Sequence, residues 1–318
     1  MQAIPRRALL TAGVGTVALA AVGASALDLI EDGVLPGRYS LAGLLDQCDA
    51  PAPPRAAGPP PVMRQQTFWS AYRRRRVRMV TLLPAGAGDR TRAHVATGRL
   101  HLVVALHGLN GDALAAAALY RPAMAQAGVR RFAVVAADGG NGYWHAMAGD
   151  DPLGMIVHEV LPRAAALGIQ TARIGIAGYS MGGFGALLLA ELLAVSGRAA
   201  GVAAASPAIF ASYADARAVN PHAFAGPADF ARNDVMSRIG ALRAVPAWIS
   251  CGAMDPFAPM TAALRRRLER IDGRPPAGGI VGGCHDMAFW QSTAPAALRF
   301  LGRHLGRPAM PSAVPDTD

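Results

Sequence analysis

The sequence predicts an α/β fold in which helices cover both faces of a doubly wound, mostly parallel sheet. From about residue 100 onward, short apolar runs alternate with longer stretches of helical character, as in a parallel sheet with crossover helices. The chain has 318 residues, which suffices for one large domain or two small ones. Hydrophobic residues make up 52% of it and charged residues only 16%, so most of the chain is expected to fold around a core.

The expected elements follow one another in a simple order. Residues 67–72 and 77–83 have the pattern of two antiparallel strands, and the arginines at 73–76 between them fit a solvated hairpin. Further strands are expected at 100–106, 131–137, 173–177, 201–205, 247–251 and 279–281, with helices near 112–127, 152–167, 181–196, 257–272 and 286–304. Residues 207–243 break this alternation with Pro, Asn, Asp and Phe, and we interpret them as a small cap-like insertion.

The amino terminus has the features of an export signal. Arg6-Arg7 precede an uncharged run that ends in Ala24-Ser25-Ala26, and the paired arginines suggest the twin-arginine (Tat) route, which carries folded proteins. An uncleaved membrane anchor is the alternative, because the run approaches the roughly 20 residues that span a bilayer. The predicted organisation is an export signal at 1–26, a tether rich in Pro and Ala at 27–62, the main domain at 63–306 and a disordered tail at 307–318. We expect an exported protein of the extracellular space or the cell envelope.

The charge of the chain favours some partners and argues against others. The formal net charge is +10, and all 31 residues that are Lys or Arg are arginines. No helix-turn-helix, zinc-finger or RNA-binding signature accompanies this charge, so we expect no nucleic acid partner. A positive surface is compatible with an anionic cell envelope or an anionic substrate. The sequence leaves the oligomeric state open.

The stretch from Gly178 to Gly183 reads Gly-Tyr-Ser-Met-Gly-Gly and is the strongest chemical motif of the chain. Apolar runs precede and follow it, so a buried strand is expected to turn sharply into a helix with Ser180 at the apex. This pattern is the nucleophile elbow G-x-S-x-G, whose small residues avoid collision with the neighbouring strand and helix. It predicts Ser180 as a nucleophile and the amide of Met181 as a donor to an oxyanion.

A serine nucleophile needs a base, and the base needs an acid that orients it. In this architecture the order along the chain is Ser, then Asp or Glu, then His. His285 directly follows the last expected strand, where a loop can bring its imidazole over the sheet, and it is the predicted base. The alternatives are His222 in the insertion, His304 in the last helix and His145, which precedes the serine against the expected order.

The predicted acid is Asp255, which lies in a loop just after the penultimate strand. Asp286 is adjacent to His285 in sequence, and neighbouring side chains seldom face each other, so Asp286 is expected to be a helix N-cap instead. Asp234 lies in the insertion and is the weaker alternative.

Two further loops are expected to border the site, because both follow strands and ligands bind beyond the carboxyl ends of strands in open α/β sheets. In the loop that begins His107-Gly108-Leu109, the Leu109 amide is the second predicted oxyanion donor. We place His107 and Gly108 among the residues near substrate, although a histidine here is more often a buried post that holds the loop. The second loop contains Tyr143 and Trp144, predicted as a lip that packs on substrate or as aromatics tucked into the core. Tyr179, beside the nucleophile, is also placed near substrate.

Three cysteines, Cys48, Cys251 and Cys284, are too few for a disulfide scaffold, and no C-x-x-C pair indicates a metal site. We expect neither a metal nor a cofactor. Cys251 and Cys284 lie near Asp255 and His285, so one hypothesis is a disulfide between them, with Cys48 free. Two buried apolar thiols are the alternative.

The sequence around the elbow resembles the esterase D-like branch of the α/β-hydrolases, which includes S-formylglutathione hydrolases, some feruloyl esterases and mycolyltransferases of the antigen 85 type. The stretch 178–187 has the extended form G-x-S-M-G-G-x-G-A-L, and supporting matches are 159–162 (Glu-Val-Leu-Pro), 283–286 (Gly-Cys-His-Asp) and Trp290. The resemblance covers about residues 65–305. It implies the α/β-hydrolase fold for 63–306, with Ser180, His285 and an acid near Asp255 as the triad.

These observations together predict an exported serine hydrolase that acts on small-molecule or lipid carboxylic esters. Acyl transfer to a sugar or lipid hydroxyl through the same residues is the first alternative. A non-catalytic protein that binds the cell envelope on a hydrolase scaffold is the second. The sequence leaves the natural ester and the length of its acyl chain open.

Overall fold

The computed structural model describes residues 48–84 and 100–306. The export signal predicted at 1–26, most of the tether predicted at 27–62 and the tail predicted at 307–318 lie outside the described residues. Within the part of the chain that the structure describes, no helix combines the length and the apolarity that crossing a membrane requires.

The described residues form one mixed sheet. Its strands are β1 (Val62–Ser70), β2 (Arg75–Leu83), β3 (Leu100–Leu106), β4 (Phe132–Ala137), β5 (Ile169–Tyr179), β6 (Ala199–Ala205), β7 (Ala247–Gly252) and β8 (Ile280–Val281). Their spatial order is β1-β2-β4-β3-β5-β6-β7-β8. The pairs β1–β2 and β2–β4 are antiparallel, and every other neighbouring pair is parallel. The predicted doubly wound, mostly parallel sheet is confirmed.

Helices cover both faces of this sheet, as predicted. They are α1 (Ala113–Gln126), α2 (Pro152–Met155), α3 (Leu161–Ala166), α4 (Met181–Ala194), α5 (Tyr213–Val219), α6 (Pro227–Asn233), α7 (Val235–Arg238), α8 (Ala258–Asp272) and α9 (Met287–His304). Because successive side chains of a strand point to opposite faces, Val103 and Val104 of β3 belong to two separate apolar clusters. One cluster contains α1 and α9, and the other contains α4, α8 and the segment around α2 and α3.

Three predicted segments differ in detail from the structure. Of the arginines predicted in a solvated hairpin at 73–76, Arg73 is buried and pairs with Asp150 at 2.6 Å, and the last two belong to β2. The helix expected at 152–167 is divided into α2, a π-helical turn at Ile156–Val160 and α3. Pro162 lies in the first turn of α3 and has no amide hydrogen for the carbonyl of His158, which interrupts the α-helical hydrogen-bond ladder. The segment 207–243 forms the short helices α5, α6 and α7 and a 3₁₀ turn at Ile239–Leu242.

The described end of the proline-rich segment is bound to the domain. Residues 48–61 contain no helix or strand, but the Ala57 amide donates to the carbonyl of Ala125 at 3.0 Å. Arg121 Nε donates to the carbonyl of Pro61 at 2.9 Å. The last part of the predicted tether therefore lies along α1.

The cysteine pairing differs from the sequence hypothesis. Cys48 and Cys284 form a disulfide across 236 residues, and Cys251 is a buried free thiol. The hypothesis of a Cys251–Cys284 bond is therefore wrong. The alternative of two buried apolar thiols is correct for Cys251 and wrong for Cys284, which is in the disulfide.

Candidate active site

Ser180 occupies a strained turn between β5 and α4. Its φ is +54° and its ψ is −126°, which lies outside the regions that non-glycine residues ordinarily adopt. The flanking glycines make this turn sterically feasible. A Cβ atom on Gly178 would overlap the backbone of Gly182, and one on Gly182 would overlap the carbonyl of Leu106. The turn holds the Ser180 side chain at the carboxyl end of β5.

Three side chains that are far apart in sequence form one hydrogen-bonded chain. Ser180 Oγ lies 2.9 Å from His285 Nε2. His285 Nδ1 lies 2.8 Å from Asp255 Oδ2. Asp255 follows β7 and His285 follows β8, so both project from the same edge of the sheet as Ser180. Because Nδ1 donates to the carboxylate, Nε2 is free to accept the hydroxyl proton of Ser180.

Asp255 is completely buried, yet it favours the ionised form. Burial alone raises the pKa of the Asp255 carboxyl. The hydrogen bond and charge of His285 outweigh that effect, together with smaller contributions from the Ser206 hydroxyl and the Phe257 amide, so the net pKa lies below its ordinary value. The Phe257 amide donates to Asp255 Oδ1 at 2.8 Å. Both carboxylate oxygens are therefore occupied, and the side chain is fixed in orientation.

The alternative bases lie elsewhere in the described chain. His145 is buried, contacts the carbonyl of Ala223 through Nε2 at 2.7 Å and stacks on Phe224. His222 is exposed on the insertion, and the His304 ring lies 4.7 Å from that of Phe300 in α9, tilted by 51°.

The alternative acids are helix caps. Asp286 accepts the Phe289 amide at 2.8 Å at the start of α9, which confirms its predicted role as an N-cap. Asp234 accepts the amides of Met236 and Ser237 at the start of α7.

The two predicted oxyanion donors, Leu109 and Met181, belong to two segments that adjoin Ser180. Met181 is the first residue of α4, where backbone amides have no partner within the helix. The loop after β3 passes directly beside the serine, because a Cβ atom on Gly108 would lie 3.3 Å from the Cβ of Ser180. Leu109, the next residue, lines the cavity described below. Both residues therefore belong to segments next to Ser180, and their role as oxyanion donors stays a prediction.

His107, which has no exposed surface, supports the loop that follows β3. Its Nε2 accepts the Gly139 amide at 2.8 Å, so Nδ1 carries the proton and donates to the carbonyl of Gly108 at 2.8 Å. Burial is the main reason that the pKa of His107 is lowered, which favours this neutral form. His107 therefore joins two loops of the rim and does not contact the cavity, contrary to its placement among substrate contacts.

Trp144 and Tyr179 are also supports and do not line the cavity. Trp144 has no exposed surface, donates through Nε1 to the carbonyl of His107 at 3.2 Å, and packs against Gly139 and Gly185. The predicted alternative of an aromatic tucked into the core is correct for Trp144. Tyr179 is 3% exposed and lies under Gly108, with its ring 4.8 Å from that of Trp290.

A cavity of about 590 Å³ opens beside Ser180 and His285. Of the residues placed near substrate from the sequence, Tyr143 lines it, whereas His107, Gly108, Trp144 and Tyr179 do not. Aromatic wall residues that sequence reasoning missed as contacts are Phe210, Phe257 and Trp290. Two signals were available: Phe257 lies two residues after the predicted acid Asp255, and Trp290 is among the matches to the esterase D-like branch. The walls are predominantly apolar, as in pockets that bind small organic ligands.

The sheet order, the strained serine turn and the Ser180–His285–Asp255 chain are features of the α/β-hydrolase fold. Comparison with protein-family models gives no match, and neither does comparison with the sequences of curated proteins. Solved structures do match.

The fold is similar to that of an S-formylglutathione hydrolase from Agrobacterium tumefaciens, with 15% identity, a TM-score of 0.62, and coverage of 77% of this chain and 96% of that one. It is also similar to a ferulic acid esterase, with 19% identity, a TM-score of 0.62, and coverage of 77% and 99%. A third is FphF, a fluorophosphonate-binding serine hydrolase of Staphylococcus aureus, with 18% identity, a TM-score of 0.59, and coverage of 76% and 99%. The chain has the α/β-hydrolase fold, and these neighbours agree with the resemblance noted in the sequence.

Proposed function

We propose that this protein is an exported serine esterase that hydrolyses carboxylic esters. The observation that supports this most directly is the hydrogen-bonded chain from Ser180 through His285 to Asp255, located at the mouth of an apolar cavity. A buried carboxylate, an oriented imidazole and a strained serine are the parts of a nucleophilic acyl-transfer site.

In the proposed reaction, His285 Nε2 accepts the proton of Ser180 as Oγ attacks the acyl carbonyl. The amides of Leu109 and Met181 donate hydrogen bonds to the developing oxyanion. Asp255 stays ionised, holds the Nδ1 proton and stabilises the imidazolium. His285 then protonates the leaving alcohol, and an acyl-enzyme remains on Ser180. Water, deprotonated by the same imidazole, attacks this ester and releases the acid, which restores the serine.

The cavity favours neutral esters with an apolar acyl group. Among its described lining residues Asp215, which is exposed at the start of α5, is the only Asp, Glu or Arg. A glutathione thioester carries carboxylates that would meet this negative rim without a basic partner. Although an S-formylglutathione hydrolase is a structural neighbour, we therefore propose that this chain acts on uncharged esters.

Two features support export. The first is the signal pattern at residues 1–26. The second is the Cys48–Cys284 disulfide, because such bonds persist in oxidising compartments and are rare in the cytosol.

The test is a chain-length series of neutral p-nitrophenyl esters assayed with the wild type and with Ser180→Ala. We expect Ser180→Ala to lose about three or more orders of magnitude in kcat/KM, because the nucleophile is gone while the oxyanion donors remain. Ser196→Ala is the matched control, since Ser196 is an exposed serine just beyond α4. Failure of a fluorophosphonate probe to label Ser180 would indicate a non-catalytic scaffold. Products formed with and without an alcohol acceptor distinguish hydrolysis from acyl transfer.

A further inference from the structure

The residue just before His285 is tied covalently to a distant part of the chain. Cys284 is bonded to Cys48, and 236 residues separate the two in sequence. The backbone next to Cys48 also contacts this region, because a Cβ atom on Gly282 would lie 2.5 Å from the carbonyl oxygen of Asp49. The segment at 48–49 therefore contacts and restrains the turn that leads to His285.

The His285 ring is held by its hydrogen bonds to Ser180 and Asp255 and by contacts with Phe257 and Trp290, but the backbone that leads to it is weakly held. It follows β8, which has only two residues, Ile280 and Val281, and these are 38% and 39% exposed. The turn itself contains Gly282 and Gly283, and Gly283 has a φ of +135°, a conformation that glycine adopts readily.

Two backbone hydrogen bonds connect this region to the Asp255 loop. The Ala253 amide donates to the carbonyl of Val281 at 2.7 Å, and the Met254 amide donates to the carbonyl of Gly283 at 3.0 Å. On its other side, the turn leads directly into Asp286, the N-cap of α9. Because this turn contains two glycines and makes few local hydrogen bonds, fixing its backbone in one conformation costs considerable conformational entropy.

We infer that Cys48 is a positioning residue for the proposed reaction: through its disulfide it holds the 282–285 turn so that His285 stays within reach of both Ser180 and Asp255. This inference rests on the proposed function. The cavity walls come mainly from other elements, such as Tyr143 and Phe210, so loss of the disulfide affects the chemical step more than substrate binding. A displacement of about 1 Å in a reacting group can cost on the order of 100-fold in rate.

The disulfide also links activity to the compartment. In a reducing cytosol Cys48 and Cys284 remain thiols. A chain that folds there and is then exported therefore lacks the disulfide that fixes the 282–285 turn. A disulfide-bearing oxidant outside the cytosol then accepts two electrons and two protons from the two thiols. The oxidant becomes a dithiol, the Cys48–Cys284 bond forms, and the esterase reaches its full rate.

The experiment compares the oxidised wild type, the wild type treated with dithiothreitol, and Cys48→Ser/Cys284→Ser. Steady-state kinetics with a neutral p-nitrophenyl ester are measured at a temperature where circular dichroism shows all three folded. We expect kcat to fall about 10- to 100-fold in the reduced wild type and in the double variant, with KM changed by less than about threefold. Reoxidation restores the wild type, and the double variant does not respond to reductant.

Other results of this experiment would overturn the inference. A double variant with a lower melting temperature but wild-type kcat would show that the disulfide only stabilises the fold, and would overturn the inference. So would an equal effect of reductant on the double variant, because the effect would then arise elsewhere. The Nδ1–H signal of His285 in proton NMR gives a readout that does not depend on turnover. If the oxidised enzyme has no Ser180-dependent activity, the proposed function fails, whereas an unchanged His285 signal on reduction refutes the positioning role by itself.

Discussion

Replacement of Asp255 by Asn tests the proposed triad, because the structure determines which way the new amide must face. In the wild type, Oδ1 accepts the Phe257 amide at 2.8 Å and Oδ2 accepts the imidazole Nδ1–H at 2.8 Å. The Phe257 amide requires an acceptor, so the carboxamide oxygen of the substituted side chain will point toward it. The NH₂ group then faces His285, which must offer its Nδ1 lone pair and carry its proton on Nε2. In that tautomer His285 cannot accept the proton of Ser180.

The expected loss is large because nothing can substitute for the carboxylate. Asp255 has no exposed surface, so water cannot enter to correct the tautomer. The same substitution in the Ser-His-Asp template lowers kcat about 10⁴-fold with the geometry intact. We expect a fall of about 10³ to 10⁴ in kcat/KM, which corresponds to roughly 4 to 5.5 kcal/mol of transition-state stabilisation.

The assay is hydrolysis of a neutral p-nitrophenyl ester, with Asp286→Asn as the control. Asp286 lies beside His285 in sequence but caps α9, and Asn caps a helix about as well as Asp. Asp286→Asn should therefore stay within a few-fold of the wild type in activity and close to it in melting temperature. If Asp255→Asn kept more than a tenth of wild-type activity, the tautomer argument would be wrong and the orienting acid would have to be sought elsewhere.

Two further predictions concern stability. Gly185→Ala should lower the free energy of unfolding by about 1–3 kcal/mol in thermal unfolding, because the new Cβ overlaps the ring of Trp144. The control is Gly240→Ala, which should be neutral or slightly stabilising because an added Cβ there meets nothing within 4 Å. Burial raises the pKa of Glu191 to about 8, although Arg238 Nε lies 3.3 Å from its carboxylate. The stabilising contribution of the protonated Glu191 side chain is thus full below its ordinary pKa of 4.5 and is lost as the pH rises through about 8. Glu191→Gln should gain stability relative to the wild type between pH 5 and pH 9, by at most roughly 5 kcal/mol, and a difference in melting temperature that is constant over this range would contradict the prediction.

The parts of the site that the sequence predicts are those with local patterns. The backbones of Gly178 and Gly182 lie so close to other backbone atoms that a Cβ atom at either position would overlap them. Only glycine fits at these two positions, and the sequence shows this as the motif around Ser180. Asp255 and His285 directly follow strands, so the rule that parallel strands end at one edge places them together.

The parts that the sequence does not predict depend on contacts between distant segments. Trp144 is in a glycine-rich loop that resembles a flexible lip, and the room for its ring is provided in part by Gly185, 41 positions later. No spacing rule distinguishes Cys48 from Cys251 as the partner of Cys284, because the pairing depends on where the proline-rich segment lies along α1. The π-helical turn before Pro162 likewise leaves the apolar periodicity intact, so the helix appears continuous in the sequence.

The way His107 and Trp144 join the rim loops has a consequence for protein engineering. One imidazole connects Gly108 to Gly139, and one indole packs between Gly139 and the nucleophile helix, so a change in any of these loops will be transmitted to the others. Mutant libraries aimed at a broader substrate range should therefore leave this half of the rim untouched. Within the wall contributed by 209–219, Phe210 packs against Phe257, which contacts His285 and donates to Asp255, so Phe210 should also be kept. Diversity introduced at the exposed wall positions Ala211, Asp215 and Val219 can reshape the cavity while the reacting groups keep their places.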